Sequence, residues 1–260
     1  MPDATSYILY DVSDGIATLT FNRPARKNAL TVAMYVDALA RLHEAEADKD
    51  VRVIVITAVG DAFTSGNDLN DFLDTPPDGP DSPVMKLLMA LLDAEKPLIV
   101  GVNGTAIGVG VTMLPLCDLV YAATETRFQM PFVNLGVTPE GASSMLLPLM
   151  MGHQKASELL LLGEWFTTPV ALSVGLVNAV YPRDSLQEAV RERALLLASR
   201  PSESVRLSKQ LMREPVREKI RETLLREGVM FVERIKSPAA IEALTAFFEK
   251  RKPDFRQFGE

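Results

Sequence analysis

The sequence predicts an α/β chain in which strand, small-residue loop and helix recur about four times before the chain turns wholly helical near residue 185. Three observations carry that prediction. Val53–Thr57 (VIVIT) and Pro97–Val102 (PLIVGV) are continuous apolar runs rich in β-branched residues, the pattern of strands covered on both faces. A glycine-bearing loop of small residues follows each of them, Gly60–Leu69 and Asn103–Gly110. From Ser185 to the end, apolar residues return at helical spacing. The expected division is residues 1–184 for the α/β core and 185–260 for a helical region.

Each element has its own local reason. Tyr7–Val12 and Ile16–Phe21 alternate about Asp14-Gly15, a strong hairpin signal. Thr31 caps a helix that runs to about Asp48. Asn70–Pro83 is acidic and proline-rich and reads as a surface segment. Val84–Asp93 is helical. A helix opens near Val109 and ends around Pro115. Asp118–Ala122 is a strand and Arg127–Met130 a short one. Thr138-Pro139-Glu140-Gly141 has the grammar of a helix start, with Thr138 as cap and Glu140 in the first turn. Lys155–Leu162 and Thr168–Val174 are helices, and Val177–Val180 is a short strand. The tail divides into Leu186–Ser199, Ser202–Met212, Val216–Ile235 and Ala239–Lys250, with Ser237-Pro238 as a cap for the last.

Composition excludes several classes. A net charge of −7 with both signs interspersed argues against a nucleic-acid binder, which shows a basic face. One cysteine, Cys117, forbids an internal disulfide and reads as a small core residue. Two distant histidines and that single cysteine give no zinc-type spacing, so no metal is expected. The longest apolar runs fall short of the ~20 residues a membrane span needs. The opening MPDATSYILYDV has no basic segment before an apolar core, and the closing RQFGE is no peroxisomal address, so the expected location is cytoplasmic.

The candidate chemistry centres on Glu140, one carboxylate in the otherwise uncharged run Pro131–Met145. Burial among Phe132, Leu135, Val137 and Met145 raises a carboxyl pKa, and a helix N-terminus lowers it. Such a group is suited to proton transfer. Read locally, an ordinary first-turn glutamate is the stronger reading, and the upstream loops are what favour the chemical one. The loops Ser65–Leu69 and Gly104–Gly110 are able to aim backbone N–H groups at a ligand, and two converging on one point would make an oxyanion hole. Turn formation alone explains their glycines equally well. Gly108-Val109-Gly110 is no dinucleotide fingerprint, because Met113 holds its last position. Gly141-Ala142-Ser143-Ser144-Met145 does not match a nucleophile elbow.

NRPARKNAL, AFTSGNDL, VNGTAIGVG and CDLVYAATETRFQMPFVNLGVTPEG, followed by the helical tail, occur in the order found in the enoyl-CoA hydratase/isomerase (crotonase) superfamily. The resemblance runs from about Tyr7 to Lys252. SGNDL with LGVTPEGASS is most similar to the peroxisomal-type Δ3,Δ2-enoyl-CoA isomerases.

That resemblance implies a crotonase-like spiral of ββα units followed by a C-terminal helical oligomerisation region. It implies a homotrimer or dimer of trimers, a place in fatty-acid β-oxidation and an acyl-CoA thioester substrate. No cofactor is needed beyond the CoA of the substrate. Position by position, it places the oxyanion donors at the N–H groups of Asn67 and Val109 and the base at Glu140. It lays CoA along Arg26, Lys27, Ala29, Ser65, Gly66, Asn67, Asp68, Leu69 and Gly108, and it puts Thr112, Phe132 and Leu135 around the acyl chain. Hydratases of the superfamily carry two glutamates, and here those positions are Thr112 and Phe132. The implied reaction is transfer of a proton from C2 to C4 of a 3-enoyl-CoA, giving trans-2-enoyl-CoA. Two alternatives stay open: a hydratase or other acyl-CoA lyase on the same scaffold, and a catalytically silent acyl-CoA-binding oligomer. Lys250-Arg251-Lys252 reads as a solvated basic tail, with a CoA phosphate as its other partner. Phe247 and Phe248 read as packing or subunit contacts.

Overall fold

The computed structural model describes residues 6–74 and 79–258. The readings of the chain's first residues, of 75–78 within the acidic segment and of the last two residues lie outside that range.

The elements run in this order: β1 (Ile8–Ser13), β2 (Ile16–Phe21), α1 (Val32–Ala47), β3 (Val53–Ala58), β4 (Ala62–Thr64), α2 (Leu69–Asp74) and α3 (Pro83–Asp93). Then come β5 (Leu98–Val102), β6 (Thr105–Ile107), α4 (Val109–Thr112), β7 (Leu119–Ala123), β8 (Arg127–Gln129), α5 (Ser143–Met151) and α6 (His153–Leu162). The chain closes with β9 (Phe166–Thr167), α7 (Thr168–Ser173), β10 (Ala179–Tyr181), α8 (Arg183–Ala198), α9 (Ser202–Ile235) and α10 (Pro238–Phe248).

From β3 to β8 successive strands alternate between two sheets, which is what makes the path a spiral. One sheet has six strands in the order β1-β2-β3-β5-β7-β10, and the other has four in the order β4-β6-β8-β9. β1 and β2 form the antiparallel hairpin, and Asp14 and Gly15 at its turn both have positive φ. β2, β3, β5, β7 and β10 then pair in parallel. VIVIT is buried on both faces for a visible reason. Ile54 and Ile56 face the main core under α1 and α3, whereas Val53 and Val55 face Leu186, Val190 and Ala194 of α8. α8, read from sequence as the start of the helical region, therefore covers one side of the six-stranded sheet.

The structure corrects four expectations. Thr138–Glu140 is not helical; α5 begins at Ser143, after Gly141 and Ala142 both turn to positive φ. α4 stops at Thr112, and Leu114–Leu116 forms a separate 3₁₀ turn. The acidic segment opens with a helix, α2, instead of running wholly as a loop. The two tail helices around residue 215 are one helix, α9, of 34 residues with Pro215 inside it. Proline removes one backbone donor, but Pro215 is exposed, so water solvates the carbonyl left without it. Side-chain anchors hold α9 on both sides of that point. Lys209 Nζ bonds Asp118 Oδ2 at 2.7 Å and the Lys96 carbonyl at 2.8 Å. Arg217 and Arg221 reach Asp93 Oδ1 at 2.8 and 2.6 Å. Burial raises the Asp93 carboxyl, but the hydrogen bonds from Arg221 and Arg217 outweigh it and hold the group below its ordinary value.

Among the described residues no helix is long and apolar enough to cross a membrane, and no cluster of three His, Cys, Asp or Glu side chains is placed to hold a metal ion.

Candidate active site

The loop after β4 is fixed from beneath by Asn28. Its side chain is fully buried; it donates to the carbonyls of Val59 and Ala62 at 2.9 and 2.7 Å and accepts from Arg23 N at 2.7 Å. Thr64 Oγ donates to the Asn28 carbonyl at 2.7 Å and accepts from Gly66 N at 3.1 Å. Leu30 then bridges Asn67 in parallel: Leu30 N donates to Gly66 O at 2.8 Å and Asp68 N to Leu30 O at 2.9 Å. In a parallel bridge these flanking groups make the bonds, so the N–H of Asn67 itself points away from Leu30. The Asn67 side chain is also held, with Oδ1 accepting from the Tyr35 hydroxyl at 2.5 Å.

The second loop meets the first at α4. Gly108 has φ 56° and ψ −119°, a conformation that favours glycine, and Val109 is the first residue of the helix. An N–H at that position has no intrahelical acceptor. A cavity of about 600 Å³ opens between the two loops, lined by Asn67 and Val109 together with Arg26, Ala29, Ser65, Gly66, Asp68, Leu69, Gly108, Phe132 and Leu135. Lys27 is not on this wall. It has φ 50° at the end of a 3₁₀ turn, and its carbonyl accepts from Ser65 N at 3.0 Å. Asp68 is on the wall but committed: Arg23 Nη1 meets its Oδ2 at 2.6 Å and Asn70 N its Oδ1 at 3.0 Å. Burial raises its carboxyl, yet the Arg23 and backbone hydrogen bonds hold it below the usual range.

Glu140 is not on that wall. It is 7% exposed and lines a small adjoining cavity of about 30 Å³ with Met85, Leu88, Gly228 and Val232. Asn67 and Phe231 line both cavities, so the two adjoin at these residues. Thr112 is not on the wall of the large cavity, where its acyl-contact reading would put it. It is fully buried, and its hydroxyl donates to Glu140 Oε1 at 2.5 Å. Burial pushes the Glu140 carboxyl up to about 7, with the Thr112 hydrogen bond opposing and the negative charge of Glu227 adding. Glu140 precedes α5 by three residues, so it does not sit in a first helical turn as the sequence suggested. Gly141 has φ 76°, and a Cβ there would meet Thr112 Cβ and Oγ at 2.7 Å. Glycine is therefore required where Glu140 meets its hydroxyl partner.

Several lining residues escaped the sequence reading. Phe231 and Ile235 of α9 and Leu244, Phe247 and Phe248 of α10 close the large cavity. The apolarity of α10 pointed that way, whereas α9 is rich in charged residues and gave no such signal. The expectation for Phe247 and Phe248 is packing or subunit contacts, and the structure puts them on the cavity wall. In the basic tail, Arg251 is engaged by Glu242 at 2.5 Å and Glu249 at 2.6 Å. Cys117 is buried in the core, and burial pushes its thiol up to about 12, which makes it inert.

Comparison with known proteins identifies the family. Residues 11–258 match the family model described as "Enoyl-CoA hydratase/isomerase". The chain is similar to "Enoyl-CoA delta isomerase 2" of Rattus norvegicus, 38% identical over 253 residues, covering 95% of this chain and 64% of that protein. It thus spans less than two thirds of that relative's length. It is also similar to "2,3-dehydroadipyl-CoA hydratase" of Escherichia coli K12, 33% identical over 242 residues that cover 93% of this chain and 95% of that one. Among solved structures, Pseudomonas aeruginosa OdaA is 45% identical with a TM-score of 0.91, covering 94% of this chain and 99% of that one.

Proposed function

The chain belongs to the enoyl-CoA hydratase/isomerase family, and on that premise we propose that it is a Δ3,Δ2-enoyl-CoA isomerase. One observation carries the reading: the Glu140 carboxylate, which accepts the Thr112 hydroxyl, lines the small cavity adjoining the large one and is held near neutrality by burial. A group with a pKa close to the working pH both accepts and returns a proton efficiently.

The proposed reaction begins with the thioester oxygen of a 3-enoyl-CoA on the N–H groups of Asn67 and Val109. Glu140 removes a proton from C2, and the resulting dienolate carries its charge largely on that oxygen. Each preorganised donor in such a hole is worth roughly 10²–10³ in rate. Glu140, now protonated, delivers the proton to C4, and the double bond ends between C2 and C3. The base is restored and no co-reactant is consumed. The apolar walls, Phe132, Leu135 and Phe231 among them, keep the charge and the base out of water.

Hydration asks for a second polar group to activate water. At the two positions where superfamily hydratases carry glutamates, this chain has Phe132, which is apolar, and Thr112, whose hydroxyl is committed to Glu140. This supports the isomerase over the hydratase named among the relatives. We read the exposed Leu161, Leu211, Val229 and Ile241 as subunit contacts of a homotrimer, which sedimentation equilibrium tests.

The decisive experiment follows trans-3-hexenoyl-CoA conversion by the wild type and Glu140→Gln, with crotonyl-CoA hydration beside it. Expected are isomerisation by the wild type, a loss of about 10²–10⁴-fold in the variant and negligible hydration. A wild type that hydrates but does not isomerise, or a variant as fast as the wild type, refutes the assignment.

A further inference from the structure

Glu227 is a second buried carboxylate, and the proposed reaction does not use it. It lies on α9 at 5% exposure. Its Oε1 accepts the Ser144 N–H at 2.9 Å, and its Oε2 is buried with no hydrogen-bond partner among the described residues. An unpaired buried carboxylate oxygen is costly, so its presence asks for a reason. The start of α5 supplies one. The residue in the capping position there is Ala142, which has no side-chain acceptor for the first-turn amides. Ser143 spends its hydroxyl on the Glu140 carbonyl at 2.6 Å. Ser144 is the second helical residue, whose amide an N-cap oxygen ordinarily takes. Glu227 therefore caps α5 from a different helix, and the turn it caps is the one that carries Glu140.

We propose that Glu227 is a positioning residue for the base: from α9 it latches the Glu140–Ser144 turn and brings a second carboxylate within electrostatic reach of Glu140. The kinetic part of the test rests on the isomerase reading; the spectroscopic part does not.

The direction of the effect follows from the groups around each carboxylate. Glu140 is influenced by burial, by Thr112 of α4 and by Glu227 of α9, and it acts in turn on the Tyr35 hydroxyl of α1. Burial holds Glu227 above its ordinary value, against the opposing effects of the Ser144 hydrogen bond and of Arg226 beside it. Removing the charge of Glu227 takes away a like charge. Glu140 then ionises more readily, and the acid limb of its rate profile moves to lower pH.

Two variants separate the parts of the latch. Glu227→Gln keeps an acceptor for Ser144 and removes the charge. Glu227→Met keeps the volume and removes both. With trans-3-hexenoyl-CoA, Gln is expected to hold kcat within about threefold at its optimum while the acid limb moves down by roughly half a pH unit or more. Met is expected to lower kcat about tenfold or more while KM changes less than about threefold. A Gln profile that superposes on the wild type, or a Met variant with wild-type kcat, overturns the latch. If Met does not fold, the Gln arm decides alone. In parallel, the ¹³Cδ signal of Glu140, assigned by its disappearance in Glu140→Gln, is titrated without substrate. It is expected at lower pH in Glu227→Gln than in the wild type, and an unmoved titration overturns the latch. A wild type inactive on trans-3-hexenoyl-CoA refutes the isomerase reading and leaves this titration to judge Glu227.

Discussion

Glu140→Gln is expected to stabilise the fold while it abolishes the reaction, and only above acidic pH. The carboxyl is raised from 4.5 to about 7, burial being the main cause. A folded-state pKa above the unfolded value means that folding favours the neutral form. The stability it contributes is complete below about pH 4.5 and is lost as pH rises through about 7. The gap between 4.5 and about 7 corresponds to about 3 kcal/mol. Glutamine is neutral throughout and still accepts the Thr112 hydroxyl, so it escapes that loss. Urea unfolding of both proteins at pH 5 and pH 8, at matched concentration, measures it. The variant is expected to exceed the wild type by less than about 1 kcal/mol at pH 5 and by about 3 kcal/mol at pH 8. An equal difference at both pH values, or a wild type more stable at pH 8, refutes a buried base held near neutrality. Such an outcome would place Glu140 in contact with water and remove the reason for its poise.

Three further outcomes test neighbouring parts. Thr112→Val removes a charge-assisted hydrogen bond worth about 1.5–3 kcal/mol. The acid limb of kcat therefore moves up by roughly one to two pH units, read from a pH series on trans-3-hexenoyl-CoA. Tyr35→Phe leaves Asn67 Oδ1 without its donor; it is expected to lower kcat/KM about tenfold and stability by about 1–3 kcal/mol, measured by steady-state kinetics and urea unfolding. Gly141→Ala combines a positive φ with a Cβ 2.7 Å from Thr112. It is expected to cost about 2 kcal/mol or more and to lower kcat more than it raises KM.

Legibility in the sequence followed the range of the interactions. β3 was plain because burial on both faces requires VIVIT whatever lies beyond it. The hairpin at Asp14-Gly15 and the caps at Thr31 and Ser237 are equally local, and Thr31 and Ser237 accept from Met34 N and Ala240 N as capping residues do. Glu140 was visible as a lone carboxylate, but its backbone was not. An alanine with φ 57° at position 142 has no sequence signature, so Thr-Pro-Glu read as a helix start. Pro215 misled in the opposite sense, because its helix is held by ion pairs to Asp93 and Asp118, far away in sequence. Thr112 had a position but not a partner; its bond to Glu140 spans 28 residues. Tyr35, Glu227 and Phe231 reach the site only by packing of α1 and α9, which no periodicity reveals.

α9 is about 50 Å long and serves three purposes along its length. Lys209 ties it to the end of the sheet region, Glu227 reaches the turn of the base, and Phe231 closes the cavity. Residues 227 and 231 are one helical turn apart and project from the same side. Anyone selecting variants for longer or bulkier acyl chains meets that linkage at once. A substitution at 231 that tilts or rotates the rod also disturbs the contact at 227, so substrate range and proton affinity move together. Diversity introduced on α10, at Leu244, Phe247 and Phe248, reshapes the same cavity from a helix that carries neither residue 227 nor residue 231. Libraries built there keep the chemistry constant while the choice of substrate changes.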